Sequence, residues 1–208
     1  GSPAFWGRIS AWAEKKKKRI PALKKTIMFG APVSERVLRR LKDTYSEEDA
    51  ESYTPYGATE ALPITNISGV ELLEETIPRT RAGAGVCVGR PLTSLKVIKI
   101  SDEPIEEGKP ELLCETDEIG EVVVSGGMVS KKYFNRADQT KLSKIKQGER
   151  LWHRMGDLGY LDEQGRLWFC GRKNHRVENE KGSFYSVPCE SVFNEHRDVF
   201  RTALVGVS

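Results

Sequence analysis

The longest apolar runs are only a few residues, where a membrane-crossing helix needs about 20, so no span is expected. A charged start leading into an apolar stretch and a small-residue cleavage site is also missing, so nothing directs the chain to secretion. Cysteine is sparse. Cys87, Cys114, Cys170 and Cys189 contain no Cys-x-x-Cys and lie beside no histidine pair. This argues against zinc and against a disulfide framework, and fits a reducing, cytoplasmic location. The three histidines, His153, His175 and His196, are as scattered, and support no Ser-His-Asp or Cys-His arrangement. The net charge of +3 is too small to demand a polyanionic partner. One run departs from this, Lys15 to Arg19, reading KKKKR. It could meet nucleic acid or an acidic membrane, or be the solvated end of a helix, where cations suit the dipole. No aromatic residue is interleaved as a nucleic-acid platform needs, so the solvated end is expected and no nucleic acid is called for.

What is present suits a globular chain: 208 residues, 38% hydrophobic and 30% charged, enough to bury a core in one domain or two small ones. Ser2 and Pro3 predict a helix start, and Phe5, Trp6, Ile9, Trp12 and Ala13 recur at helical spacing until Ile20 and Pro21. Lys24 to Gly30 reads as a short buried strand. A second helix follows Ser34, with Val33 and Leu38 placed as a hydrophobic staple and Val37, Leu38 and Leu41 on its apolar side. From about Ile67 short strands take over: Glu71–Glu74, Ser94–Ser101, Glu121–Ser125, Gly159–Leu161 and Arg166–Cys170, with a hairpin turn at Asp162–Gly165. One short helix is expected within Lys131–Ile145, another beyond Pro188, and a strand over Thr202–Val207. The fold class predicted is α+β. Residues 1–66 form part of an α/β layered subdomain, 67–172 a small distorted β-barrel, and 173–208 the start of a lid domain.

The stretch Ser52 to Pro63, SYTPYGATEALP, carries the most chemistry. Tyr56 offers an aromatic face and Gly57 a close backbone approach. Thr59 offers a hydroxyl, and Glu60 a hard carboxylate of the kind magnesium prefers. The same residues also suit an ordinary turn. Asp157, in RMGDLG, follows a glycine and precedes an apolar strand. It can accept two hydrogen bonds from a sugar diol or cap a turn. Arg172, across the hairpin, could reach a phosphate or the same sugar, or form a surface ion pair. Gly83 to Pro91, GAGVCVGRP, has the wrong spacing for a dinucleotide fingerprint and reads as tight turns or close backbone packing. The acids of DEIGEVVVSG, Asp117 to Gly126, lie on a strand pattern and show no sign of a general acid–base pair.

Six motifs then stand in one order: FGAP (29–32), YGATE (56–60), GRP (89–91), DEIGEVVVSGGMVSKKYFN (117–135), RMGDLG (154–159) and GRK (171–173). In this order they resemble the adenylate-forming superfamily of acyl-CoA synthetases, luciferases and peptide-synthetase adenylation domains. Within it, TPYGATEALP and WHRMGDLGYLDEQGRLWFCGRK look most like the β-lactone synthetases of bacterial long-chain olefin biosynthesis. The resemblance implies an AMP-forming acid ligase using ATP and magnesium on a fatty or β-hydroxy fatty acid, with coenzyme A as co-substrate in the ligase branch. It implies that Tyr56 and Gly57 seat adenine, that Gly30, Ala31 and Pro32 line the adenine and acyl pockets, and that Thr59 touches the α-phosphate. Glu60 would hold magnesium, and Asp157 and Arg172 the ribose. Thr59, Glu60 and Arg172 would be the catalytic set.

The sequence also departs from that pattern. It has no Ser/Thr/Gly-rich phosphate loop with its lysine and no C-terminal catalytic lysine, so an internal fragment, inactive alone, is expected. Asn174 stands where the family hinge usually carries Asp or Lys. Asn tolerates unusual backbone angles but lacks the charge. The loop NEKGSFYSVPCE keeps Gly182 and Pro188 without the usual arginine between them, which weakens the coenzyme A reading. A non-catalytic nucleotide-binding module, or a basic interaction module using Lys15–Arg19, are the competing classes.

Overall fold

Ser2 Oγ accepts a hydrogen bond from the Phe5 backbone N–H at 3.3 Å and starts helix α1 (Pro3–Lys16). A computed structural model describes residues 1–207. Helix α1 ends at Lys17, whose φ of 50° is left-handed and whose N–H reaches the Ala13 and Glu14 carbonyls. It thus stops before Ile20, and the basic run from Lys15 to Arg19 is its exposed end, the arrangement the dipole favours. The expected buried face is only half right. Ser10 and Ala13 are buried and Trp6 packs on the core, whereas Phe5 and Trp12 are exposed, at 57% and 52%.

Helix α2 (Glu35–Thr44) is capped by Ser34, whose Oγ accepts from the Val37 N–H, and buries Leu38, Leu41 and Thr44 at intervals of three. Strand β1 (Lys25–Ile27) pairs in parallel with β2 (Glu51–Tyr53), Ile27 opposite Tyr53. A buried triad of hydroxyls ties this pair to the end of α2. Tyr45 Oη lies 2.7 Å from both Thr26 Oγ1 and Ser52 Oγ, and Thr26 donates to Ser52 at 3.0 Å.

The main sheet holds eight strands: β3 (Tyr56–Ala58), β4 (Ala61–Asn66), β5 (Val86–Pro91), β6 (Ser94–Ile98), β7 (Gly120–Ser125), β8 (Lys144–Gln147), β9 (Arg150–Leu161) and β10 (Leu167–Arg172). Their order is β3-β4-β5-β10-β9-β7-β6, with β8 beside β9. Two of these strands come from residues 56–66 and six from 67–172. The mixed α+β class is as expected, but the barrel is not. The sheet stays open, with β3 and β6 as its unpaired ends. It nevertheless curls. A flat sheet would separate β3 from β9 by four strand spacings, roughly 19 Å, yet their side chains touch.

Close packing explains the glycines of 83–91. At Gly89, where φ is 88°, a Cβ would sit 2.0 Å from the Asn66 carbonyl oxygen across the β4–β5 pair. The Asp162–Gly165 turn forms between β9 and β10, with Asp162 Oδ1 accepting from the Gln164 and Arg166 N–H groups. The helix Ala137–Ser143 falls inside the expected window.

Three expectations fail. Residues 71–74 are not a strand. They belong to a helical segment that begins Gly69–Glu71 and continues as π-helical Leu72–Thr76, because Ser68 caps it by accepting from the Glu71 N–H at 3.1 Å. The helix expected beyond Pro188 starts earlier, at Ser186 (Ser186–Asn194). Residues 202–207 form no strand. The N–H groups of Thr202 and Leu204 bond instead to the Asn194 and Glu190 side chains, at 2.8 and 3.1 Å. After β10, a short hairpin of β11 (Val177–Asn179) and β12 (Gly182–Phe184) precedes the last helix.

Among the described residues three apolar clusters lie against the main sheet, the smallest of them Ile98, Val123, Ile145 and Trp152. Another gathers Ala61, Ile64, Val122, Val124 and Leu167, and the third Met28, Leu38, Leu41, Ile67, Leu158 and Trp168. The third joins the helices to the sheet and so positions the segments that follow β1 and β2.

Candidate functional site

The curl of the sheet brings together residues that the chain keeps 101 positions apart. Tyr56, on edge strand β3, donates its phenol hydrogen to Asp157 Oδ2 on β9. Arg172 lies opposite Asp157 in the β9–β10 register, with its Nη1 2.9 Å from Asp157 Oδ1. That contact is an ion pair without hydrogen-bond alignment, so the buried Oδ1 accepts no directed hydrogen bond. An ionised carboxylate has about four acceptor sites, so Oδ1 keeps capacity to accept beyond its contact with the Arg172 guanidinium. Burial raises the Asp157 pKa against the lowering effects of Tyr56 and Arg172. Burial and the neighbouring Asp157 charge raise Tyr56 well above the ordinary tyrosine range. The Tyr56 ring meets Phe169 at 5.9 Å between centroids, tilted by 46°.

Thr59 and Glu60 form the two-residue turn between β3 and β4, with Ala58 paired to Ala61. Thr59 is exposed and Glu60 half-buried. The turn is therefore real, and it also presents both side chains at the open end of the hairpin. Gly57 is required by the hairpin itself: a Cβ there would lie 2.5 Å from the Ala61 carbonyl oxygen. Gly30, Ala31 and Pro32 are exposed in the loop after β1. Because β1 and β2 run parallel, this loop and the segment leading to Tyr56 leave the same edge, the usual place for a ligand in open α/β sheets.

A second group was not singled out from the sequence. Glu60 Oε1 accepts from Tyr133 Oη at 2.8 Å, and the Glu60 carbonyl accepts from the Ser130 N–H at 2.8 Å. Lys144 donates to the Ser130 carbonyl. His153, opposite Lys144 in the β8–β9 ladder, faces the Tyr133 ring edge-on at 6.4 Å. Burial would raise the Glu60 pKa, but the Tyr133 hydrogen bond, a backbone hydrogen bond and the charges of His153 and Lys144 hold it below the usual range. Tyr133 lies inside a quoted motif, so the signal was in view, but nothing local connected it to Glu60.

His153 gives a pH prediction. Burial, with Lys144 beside it, pushes its pKa down to about 4, against the opposing hydrogen bond to the Ser143 carbonyl and the Glu60 charge. The folded chain resists protonation there while the unfolded chain takes up a proton near the ordinary value of about 6.5. Between those values the unfolded state binds more protons, so stability is lost as pH falls from about 6.5 to 4, at most about 1.4 kcal/mol per pH unit. Urea unfolding across that window should show the decline, and His153→Gln should flatten it. An equal decline in the variant would assign it to other groups.

Comparison with known proteins gives the family and the fold. The family described as "AMP-binding enzyme" matches residues 1–134. The chain belongs to the AMP-binding enzyme family. It is 41% identical over its whole length to an olefin beta-lactone synthetase of Xanthomonas campestris pv. campestris, 37% of which it covers. It is 30% identical, over 81% of the chain, to a 2-succinylbenzoate–CoA ligase of Geobacillus kaustophilus, 30% of which is covered. The O-succinylbenzoate coenzyme A synthetase of Bacillus subtilis, solved in complex with ATP and magnesium ion, superimposes with a TM-score of 0.68 at 25% identity. That match covers 96% of this chain and 37% of that one. The chain thus spans less than two-fifths of these curated relatives. The fold is that of the adenylate-forming enzymes, and the relatives are ligases. Among the described residues, no helix is long and apolar enough to cross a membrane.

Proposed function

We propose that these residues form the nucleoside side of an ATP-dependent, carboxylate-activating site. One observation carries the reading: Tyr56, Asp157 and Arg172 converge, and the buried Asp157 Oδ1 is left without a directed donor. A vicinal diol supplies such donors, so ribose fits. Tyr56 and Gly57, with the Gly30–Pro32 loop, seat the base, and the hydrogen bond from Tyr56 to Asp157 couples the base side to the ribose side. Thr59, exposed in the turn, reaches the α-phosphate. Glu60 suits magnesium by its chemistry: a hard oxygen ligand, held ionised, and a single carboxylate of the sort that binds this ion together with substrate phosphates. Bound there, magnesium would neutralise developing phosphate charge.

In this reading a carboxylate oxygen of the acid attacks the α-phosphorus of ATP. The bond from that phosphorus to the bridging oxygen breaks, and pyrophosphate leaves with the electron pair. The residues contribute orientation and charge balance. The acid we infer is a fatty or β-hydroxy fatty acid. Its own β-hydroxyl oxygen then attacks the acyl carbon, loses its proton to solvent and expels AMP, closing a β-lactone. Support comes from the olefin beta-lactone synthetase likeness along the whole chain, against weaker likeness to a coenzyme A ligase. Acyl-CoA formation is the second reading, favoured by that ligase likeness. We place the nucleotide-binding subdomain at 1–66, the sheet-rich subdomain at 67–172 and the lid segment from 173. We further infer that the 208 residues alone do not complete adenylation, and that the protein works in the cytoplasm.

Mass spectrometry on the full-length protein with ATP, magnesium and a β-hydroxy fatty acid, with and without coenzyme A, separates the readings. A lactone 18 mass units below the acid (about one water, from ring closure), formed without coenzyme A, is expected. A thioester formed only with coenzyme A supports the second reading. Neither product, with no pyrophosphate, overturns both.

A further inference from the structure

The Glu60 carboxylate is not left to orient itself. Tyr133 Oη donates to Oε1 at 2.8 Å, and no other side chain among the described residues hydrogen-bonds either Glu60 oxygen. The phenol is itself fixed. Its backbone N–H donates to Thr140 Oγ1 at 3.0 Å, and its ring edge meets buried His153 at 6.4 Å. The same segment grips the turn a second time, through the Ser130 N–H on the Glu60 carbonyl at 2.8 Å, while Lys144 holds the Ser130 carbonyl from strand β8. A two-residue hairpin turn at a sheet edge is therefore clamped at its backbone and at its side chain by the 130–144 segment.

We infer that Tyr133 is a positioning residue for Glu60, its hydrogen bond to Oε1 fixing the carboxylate that would hold a divalent cation. The inference rests on the reading of Glu60 as the magnesium ligand. Hydrogen bonds of this kind fix a ligand's rotamer, and losing one typically weakens metal binding about 10- to 100-fold. Oε1 already accepts from the phenol, which leaves Oε2 as the less encumbered oxygen for an ion. A residue that merely stiffened the turn would change stability and leave metal affinity alone.

The test measures Mn²⁺ binding by electron paramagnetic resonance, with α,β-methylene-ATP present, on the full-length protein carrying Tyr133→Phe, Glu60→Gln or both. Tyr133→Phe keeps the ring against His153 and should weaken Mn²⁺ binding about tenfold or more, with metal-free nucleotide binding unchanged. The double variant should bind Mn²⁺ no more weakly than Glu60→Gln, since the phenol acts only through that carboxylate. Tyr133→Phe within twofold of the parent, with Glu60→Gln strongly impaired, overturns the positioning role and leaves Glu60 in place. Unimpaired Glu60→Gln overturns the reading of Glu60 itself and this inference with it. Thr140→Ala keeps the phenol and loosens its backbone, so it serves if Tyr133→Phe does not fold. A weaker Mn²⁺ affinity supports the role, and an unchanged one overturns it.

Discussion

Glu121→Gln should lower the unfolding free energy by about 3–5 kcal/mol, the cost of stripping one partner from a buried ion pair. Glu121 Oε2 lies 2.6 Å from Arg154 Nη2 and 3.5 Å from Lys173 Nζ, and the Glu121 and Arg154 side chains are only 1% and 2% exposed. Gln keeps the volume but removes the negative charge, leaving buried Arg154 without its anion and Lys173 with only the exposed Asp102, at 3.8 Å. Arg154 would keep its carbonyl acceptors on Ser101, Glu103 and Leu142, and Lys173 its acceptor on Ser101 at 2.8 Å. Those dipoles orient the cations without cancelling their charge. The cluster joins β7, β9, the 101–103 loop and the segment directly after Arg172, so its loss should also loosen the entry to the last 35 or so residues (an estimate of span from chain length). Urea unfolding followed by circular dichroism measures this. A shift below about 1 kcal/mol would mean that water reaches the pair and screens it. Adding Arg154→Met to Glu121→Gln should cost less than the sum of the two single changes, because the unpaired Arg154 charge is then gone.

Asp157→Asn should separate function from stability. Binding of AMP to the full-length protein should weaken about 10- to 100-fold, as expected on losing charged hydrogen bonds worth about 1.5–3 kcal/mol. Stability should hold or rise. Burial raises the Asp157 pKa, so the folded state prefers the protonated carboxyl. That preference contributes stability at low pH and is lost as pH rises past the carboxylate range, so at neutral pH the charge is a net cost to folding. A neutral isostere removes the cost, and Tyr56 keeps an oxygen to donate to. Calorimetric titration with AMP, paired with urea unfolding at pH 7, checks both halves. Binding within twofold of the parent would sink the ribose assignment. A large loss of stability would make Asp157 a structural anchor.

The two residues differ in how far they could be read in advance. Asp157 sits in a short motif whose residue types already suit a sugar, so its chemistry was visible as one of two options. Glu121 was seen among acids on a strand and given no role. Strand β7 is buried along its whole length, and whether a charge in such a strand is paired depends on which strand lies beside it. Its partner Arg154 is on β9, 33 positions away, a distance no local pattern spans. The missed helix at 69–76 is a different case. Ser68 and Glu71 stand at the spacing of a capping box, a local signal outweighed by the short-strand texture around it. The strand expected at 202–207 had nothing near it in sequence to pair with, and a strand without a ladder leaves its N–H groups unpaired. Asn194 and Glu190 take two of them instead.

By itself the sequence determined what depends on neighbours along the chain. The caps at Ser2 and Ser34, the turn at Asp162–Gly165 and the order of six motifs that placed the chain in its family are of this kind, because caps, turns and motifs act within a few residues. Only the tertiary structure decided that Tyr56 touches Asp157, that Tyr133 holds Glu60 and that Glu121 is paired. The first contact exists because an antiparallel sheet curls while staying open, by a twist that accumulates over many strands, and the other two because strand order and a returning loop bring distant residues side by side.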